Sequence, residues 1–361
     1  MPTLTKEDVR TALSKVCDPA TDRDIVSSDQ LTDIELADGS VRLYIDLISP
    51  GYPLRDALER SVRAALSFSE LDVRVEYGLK IPHRPAREDL NRLPGVKNIL
   101  AVAAGKGGVG KSTTAVNLAL ALKRLGASVG VLDADIYGPS VPKMLGEPEQ
   151  PCDTSAKNGK ITPAVHYGMP VMSVDFFVES GKAVVWRGPM IHKLLTQFLE
   201  DVQWGDLDYL VVDLPPGTGD AQLSLGQLIP ITGALIVTTP QEVALLDVRK
   251  AVDMFNTLEV PVVGVVENMS FYQCPSCGHH DHIFSSGGGA RLAKEIGVEL
   301  IGEIPIDARI GHGGEIGKPV VHAAPDSPIT TTYRTVAARA ALELAKRSST
   351  GPRRSVKLRT V

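Results

Sequence analysis

The chain has 361 residues, with 38 basic and 43 acidic side chains, a net charge of −5, 43% hydrophobic residues, 33 Gly and 25 Pro. At roughly 150 residues per domain this length suggests about two domains, and the composition excludes a disordered chain, a collagen-like fibre and a disulfide miniprotein. Residues 1–80 hold 10 basic and 15 acidic side chains, which accounts for the whole charge imbalance, so neither half of the chain is a basic nucleic-acid module. Four cysteines in so long a chain, no cationic and apolar leader at MPTLTKEDVR, and no apolar run near the roughly 20 residues of a bilayer span predict a cytoplasmic protein with free thiols that binds neither membrane nor nucleic acid.

The first 80 residues read as a small α+β unit. Thr5 is placed to cap a helix near Asp8, with Val9, Leu13 and Val16 as its apolar stripe. A turn at Asp38-Gly39 then leads into a strand with Val41, Leu43, Ile45 and Leu47 on one face. Pro53 opens a helix carrying Leu54, Leu58 and Val62, and Leu71, Val73 and Val75 form a last strand. Residues 81–97 shift to Pro, Arg and Asn without apolar periodicity, the chemistry of a linker.

From 98 to 346 short apolar runs alternate with helical stretches: NILAVAA, SVGVLDAD, DYLVVDL, ALIVTTP, VPVVGVVEN and ELIGEIP. Strands apolar on both faces are buried and parallel, so the expectation is an α/β domain with a doubly wound, mostly parallel sheet and its ligand site beyond the strands' carboxyl ends. A final helix runs near Thr331 to Lys346, and residues 347–361 form a basic tail expected to be disordered.

After the first of these strands comes Gly105-Lys106-Gly107-Gly108-Val109-Gly110-Lys111-Ser112-Thr113, a G-x-x-x-x-G-K-[ST] loop running directly into a helix. Glycines let successive amides converge on phosphate oxygens, the helix N-terminus adds partial positive charge, Lys111 reaches the β- and γ-phosphates, and Ser112 is placed to ligate Mg²⁺. Asp133, Asp135 and Asp213 end the next strands, in LDAD and DLPPGTGD. A hydrated Mg²⁺ and an attacking water both need such carboxylates. No Asn-Lys-x-Asp guanine motif is present, which favours ATP.

Lys106 is not needed by an ordinary P-loop. The form K-G-G-x-G-K-S resembles that of the MinD, ParA, arsenite-pump and nitrogenase iron-protein ATPases. That resemblance implies a homodimer in which Lys106 reaches the partner's nucleotide, Asp135 orients water, Asp133 and Asp213 support Mg²⁺, and adenine sits between Asn268 and the loop of Pro305 and Asp307.

Cys274-Pro275-Ser276-Cys277 lies in a Gly- and His-rich loop after Asn268-Met269-Ser270. Its spacing is chelating, yet a [4Fe–4S] cluster or a structural zinc needs four ligands, and one chain offers two thiols. A two-fold dimer supplies four, bridging one cluster; His279, His280 and His282 are the alternative, completing a zinc site in one chain, and plain or redox thiols are a third reading. Cys17 and Cys152 stand alone and are expected to be small buried hydrophobes.

With the deviant P-loop, DADIYGPS, DLPPGTGD and NMSFYQCPSCG in order, residues 98–346 resemble the Mrp/ApbC iron–sulfur cluster carrier ATPases. The first 80 residues, with DPATDRDIV, look like the small domain of SufT-type iron–sulfur assembly factors, although Tyr52 stands where relatives often carry a cysteine. The resemblance implies a slow Mg²⁺-dependent ATPase that holds a [4Fe–4S] cluster on Cys274 and Cys277 of two subunits. Its implied partners are assembly scaffold proteins and recipient apo iron–sulfur proteins. A positioning ATPase like ParA or MinD and a reductase like the nitrogenase iron protein are the alternatives.

Overall fold

The computed structural model describes residues 5–37, 39–67, 72–83, 93–155, 159–177, 188–217 and 219–349. Asp38, Leu71, most of the expected linker and nearly all of the basic tail lie outside the described residues. The chain divides into two compact units, one of residues 1–83 with 341–353 and one centred on residues 84–340.

In the small unit, α1 (Lys6–Leu13) starts at Thr5, whose hydroxyl accepts from the Asp8 amide while the Asp8 carboxylate accepts from the Thr5 amide, a reciprocal capping box. Strands β1 (Leu31–Ala37) and β2 (Ser40–Leu47) are antiparallel; helix α2 (Arg55–Ala65) then carries the chain over to β3 (Asp72–Leu79), parallel to β2. Val41, Leu43, Ile45 and Leu47 all point inward, as the period-two pattern requires. They pack against Val9, Leu13, Leu58 and Val62, and Leu342 and Ala345 join this core.

The large unit is built on a nine-stranded sheet ordered β11-β10-β9-β4-β8-β5-β7-β6, with β12 paired to β10. In chain order its elements are β4 (Val96–Ala103), α3 (Lys111–Arg124), β5 (Val129–Asp133), α4 (Val141–Leu145), β6 (Ala164–His166), β7 (Met169–Ser173) and α5 (Gly188–Glu200). They continue as β8 (Leu207–Asp213), α6 (Asp220–Leu228), β9 (Gly233–Thr238), α7 (Glu242–Thr257), β10 (Val262–Gln273), β11 (His280–Asp281) and α8 (Gly288–Ile296). Last come β12 (Leu300–Ile306), α9 (Ala308–Glu315), α10 (Val320–Ala323) and α11 (Pro328–Ser349). Every pairing is parallel except β6 with β7 and β10 with β11. Strands β5 and β9 are buried along their whole length, the mark of a sheet covered on both faces.

Candidate functional site

Three adjacent strands, β4, β8 and β5, bring the phosphate-site residues together. Asp133 and Asp213 are register partners at the carboxyl ends of β5 and β8, and Asp213 also stands opposite Val102 of β4, just before the P-loop. Gly105 is there because of packing: a Cβ on it would lie 2.4 Å from backbone atoms of Asp247 and Val248 in α7. Gly108 and Gly110 take φ of +81° and +83°, so the loop needs glycine at both. The amides of the first turn of α3 have no partners within the helix, and the 14-residue helix directs its positive end at the same place.

Lys111 is buried. Its Nζ lies 2.7 Å from Asp213 Oδ1, 3.5 Å from Asp135 Oδ2 and 3.2 Å from Ser112 Oγ. Asp213 is fully buried, and burial raises its pKa against the pull of Lys111 and Ser112. Among the described residues its Oδ2 has no hydrogen-bond partner, an orphaned carboxylate oxygen of the kind a water on a hydrated Mg²⁺ would satisfy. Asp133 is engaged otherwise: its oxygens accept from the amides of Asp135, Ser140 and Val141 and from the Ser173 hydroxyl, at 3.1 to 3.2 Å. Burial, then the neighbouring Asp213 carboxylate, push the Asp133 pKa up to about 7. Asp133 thereby shapes the loop that presents Asp135, whose own Oδ1 accepts from the Gly138 amide. In the DLPPGTGD loop Gly217 donates its amide to the Ala104 carbonyl, tying that loop to the P-loop; Thr218 lies outside the described residues. Lys106 is half-buried and, among the described residues, pairs with no acid.

Asn268 and Pro305 sit on neighbouring strands, since Asn268 is in register with Ile304. Asn268 Nδ2 donates to the Val109 carbonyl at 2.8 Å, so this side chain touches the P-loop itself. Asp307 is the N-cap of α9, accepting from the Arg309 amide and guanidinium, which holds its carboxyl below the usual range.

The thiol pair lies at the tip of a hairpin. Strand β10 runs on to Gln273, Tyr272 and Gln273 pair with Asp281 and His280 of β11, and the Cys274 amide donates to the His279 carbonyl at 2.9 Å. Cys274 is half-buried and Cys277 exposed. The Cys274 thiol is held below its ordinary pKa, first by the Cys277 amide and then by that of Ser276, which stabilise a thiolate. His280 stacks on Phe271 with centroids 4.6 Å apart, and His282 Nδ1 donates to the Ser270 carbonyl at 3.1 Å. Among the described residues no three His, Cys, Asp or Glu side chains converge as a metal site.

Cys17 corrects the sequence expectation. It is exposed, because the chain alternates there in an isolated bridge to Asp24 that turns Val16 and Asp18 inward and Cys17 outward. Cys152 is half-buried against the large core. Tyr52 is buried and donates its hydroxyl to Asp18 at 2.7 Å, a structural contact at the position where a cysteine was considered. Sequence reasoning missed Ser173, Glu267 and Ser270, polar residues whose partners lie on other strands, three residues along the same strand or in helix α8.

Comparison with known proteins agrees with the fold. Residues 95–341 match the family described as NUBPL iron-transfer P-loop NTPase, and residues 6–77 match one described as iron-sulfur cluster assembly protein. A Deinococcus radiodurans protein named iron-sulfur cluster carrier protein is 46% identical over 328 residues, covering 90% of this chain and 92% of that one. An Escherichia coli K12 protein of the same name is 52% identical over 251 residues, covering 69% and 68%. Among solved structures, a nucleotide-binding protein from Archaeoglobus fulgidus in complex with ADP is similar, with a TM-score of 0.56 and 39% identity over 63% of this chain and 89% of that one.

Proposed function

The chain belongs to the family of NUBPL iron-transfer P-loop NTPases, and from that premise we propose that it is a cytoplasmic, ATP-driven carrier of iron–sulfur clusters. Two copies hold one [4Fe–4S] cluster between their Cys274 and Cys277 pairs and pass it to apo iron–sulfur proteins. The observation that carries this reading is the hairpin tip: a chelating pair with its first thiol already biased toward thiolate, and, among the described residues, two ligands short of a complete set within one chain.

The nucleotide chemistry follows from the phosphate site. Amides of residues 107–112 cradle the phosphates and Lys111 moves from the carboxylates to the β- and γ-phosphates. Mg²⁺ would be held by Ser112, with the free Oδ2 of Asp213 accepting from its water shell. Bound there, the ion neutralises charge on the β- and γ-phosphate oxygens. Asp135, released from Lys111, accepts a hydrogen bond from the attacking water. Lys106, with no acid of its own among the described residues, reaches the partner's nucleotide. Asn268 and the Pro305 to Asp307 turn flank the adenine. Hydrolysis acts as a switch, because the γ-phosphate holds the loops of Asp135 and Asp213 and its loss releases them.

Anaerobic reconstitution of the full chain, followed by mixing with an apo-ferredoxin and recording the recipient's absorption, tests the carrier reading. Transfer that needs Cys274 and Cys277 supports it. Tight retention of the metal with no transfer contradicts it.

A further inference from the structure

Two consecutive residues in the middle of β10 face different parts of the molecule. Asn268 holds the Val109 carbonyl of the P-loop, and a Cβ on Gly110 would come within 2.1 Å of its Nδ2, so loop and strand are in close contact. Glu267, fully buried, accepts from the Ser270 hydroxyl at 2.6 Å and from the Gly289 amide in the first turn of α8. Ser270 opens the thiol hairpin and Gly289 follows its return, so one carboxylate ties both ends of the segment that bears Cys274 and Cys277. Ser270 is bound a second time through its carbonyl, to His282, and its hydroxyl lies 3.2 Å from Glu303 of the paired strand. Met269 and Ser285, at the two ends of this segment, have φ of +55° and +100°, which non-glycine residues keep only where the surroundings impose it.

We propose that Glu267 and Asn268 are positioning residues that set the phosphate cradle and the thiol hairpin together, so that nucleotide in the cradle stiffens the hairpin. The inference rests on the ATPase reading above and adds to it the route by which the thiols sense the nucleotide. The Val109–Gly110 peptide is trans, so with its carbonyl held by Asn268 its N–H points the opposite way, which the nucleotide reading above makes the phosphate side. A phosphate accepting from that N–H polarises the peptide and strengthens its carbonyl as an acceptor. Asn268 is then held more firmly, and with it the adjoining Glu267 and the hairpin base.

Hydrogen exchange of amides 271–284, measured on the full chain with and without Mg-ATPγS, tests this, while a fluorescent ATP analogue titrated separately reports binding. Wild type should exchange more slowly with nucleotide, by about threefold or more, whereas Ser270→Ala should bind the analogue within about twofold of wild type and show no slowing. Asn268→Ala at saturating nucleotide should lose the slowing as well. Glu267→Gln should behave as Ser270→Ala does; should it fail to fold, Ser270→Ala carries the test. Slowing that persists in Ser270→Ala, or none in nucleotide-bound wild type, overturns this inference alone. A wild-type chain that binds no analogue overturns the ATPase reading and this inference together.

Discussion

Lys111 Nζ lies 2.7 Å from Asp213 Oδ1, with Asp135 Oδ2 3.5 Å away on its other side, and all three side chains are buried. One ammonium therefore serves two carboxylates that enter from different loops. Deleting it does more than remove a phosphate contact, because it leaves like charges facing each other in a site with little water. Lys111→Ala should abolish ATP hydrolysis and also destabilise the nucleotide-free protein by about 3–5 kcal/mol, the usual cost of breaking a buried pair on one side. Denaturant titration alongside a phosphate-release assay checks both. Wild-type stability in this variant would mean that the buried contact does not exist in solution.

Lys106 predicts the opposite combination. Half-buried and without an acidic partner among the described residues, it should be replaceable by Ala within about 0.5 kcal/mol of wild-type stability. ATP binding should persist while hydrolysis is lost. Mixing Lys106→Ala with Lys111→Ala should restore part of the activity, since a mixed dimer has one site combining an intact Lys111 with the partner's intact lysine at 106. No recovery in mixtures shown to contain mixed dimers counts against action in trans.

Two buried groups give the large unit a pH dependence of opposing sign. Burial lowers the His166 pKa, so as the pH falls past the ordinary value of 6.5 the unfolded chain takes up this proton before the native state does. Stability from this group is complete above that value and is lost as the pH falls further. Asp133 keeps its proton up to about 7 in the fold but only to 3.8 when unfolded, so it loses stability as the pH rises between those values. Thermal melts should show His166→Leu gaining on wild type below about pH 6.5 and Asp133→Asn gaining as the pH rises toward about 7. Parallel curves for wild type and both variants would disprove these assignments.

The thiols should differ in reactivity. Because main-chain amides favour the thiolate of Cys274, alkylation followed by peptide mass analysis should modify it at a pH below the ordinary thiol range. Cys17 is accessible, so Cys17→Ser should remove a surface label without altering metal content.

Much of this was legible in the sequence. Thr5 reported its helix as a cap, Val41 to Leu47 their strand by alternation and the six runs their strands by being apolar on both faces, while the P-loop glycines marked the turn from β4 into α3. The antiparallel pair β6 and β7 was not legible: Tyr167 and Gly168 turn it at φ of +51° and +65°, and the Tyr carries no turn signature. Cys17 was misplaced because a lone cysteine has no pattern, and its direction depends on a bridge to Asp24 seven residues on. Glu267 was hidden for a similar reason. A charged residue within the apolar run VVGVVEN says nothing of the α8 amide that makes its burial tolerable.

In the proposed carrier, Cys274 and Cys277 hold a transferable cluster between two copies of the chain. Iron, acid-labile sulfide and zinc, measured on anaerobically reconstituted protein, decide this in wild type and in the Cys274→Ser and Cys277→Ser variants. About four irons and about four sulfides per dimer are expected, lost in either variant. Zinc bound tightly by each single chain, and released by substituting His279, His280 or His282, would contradict it.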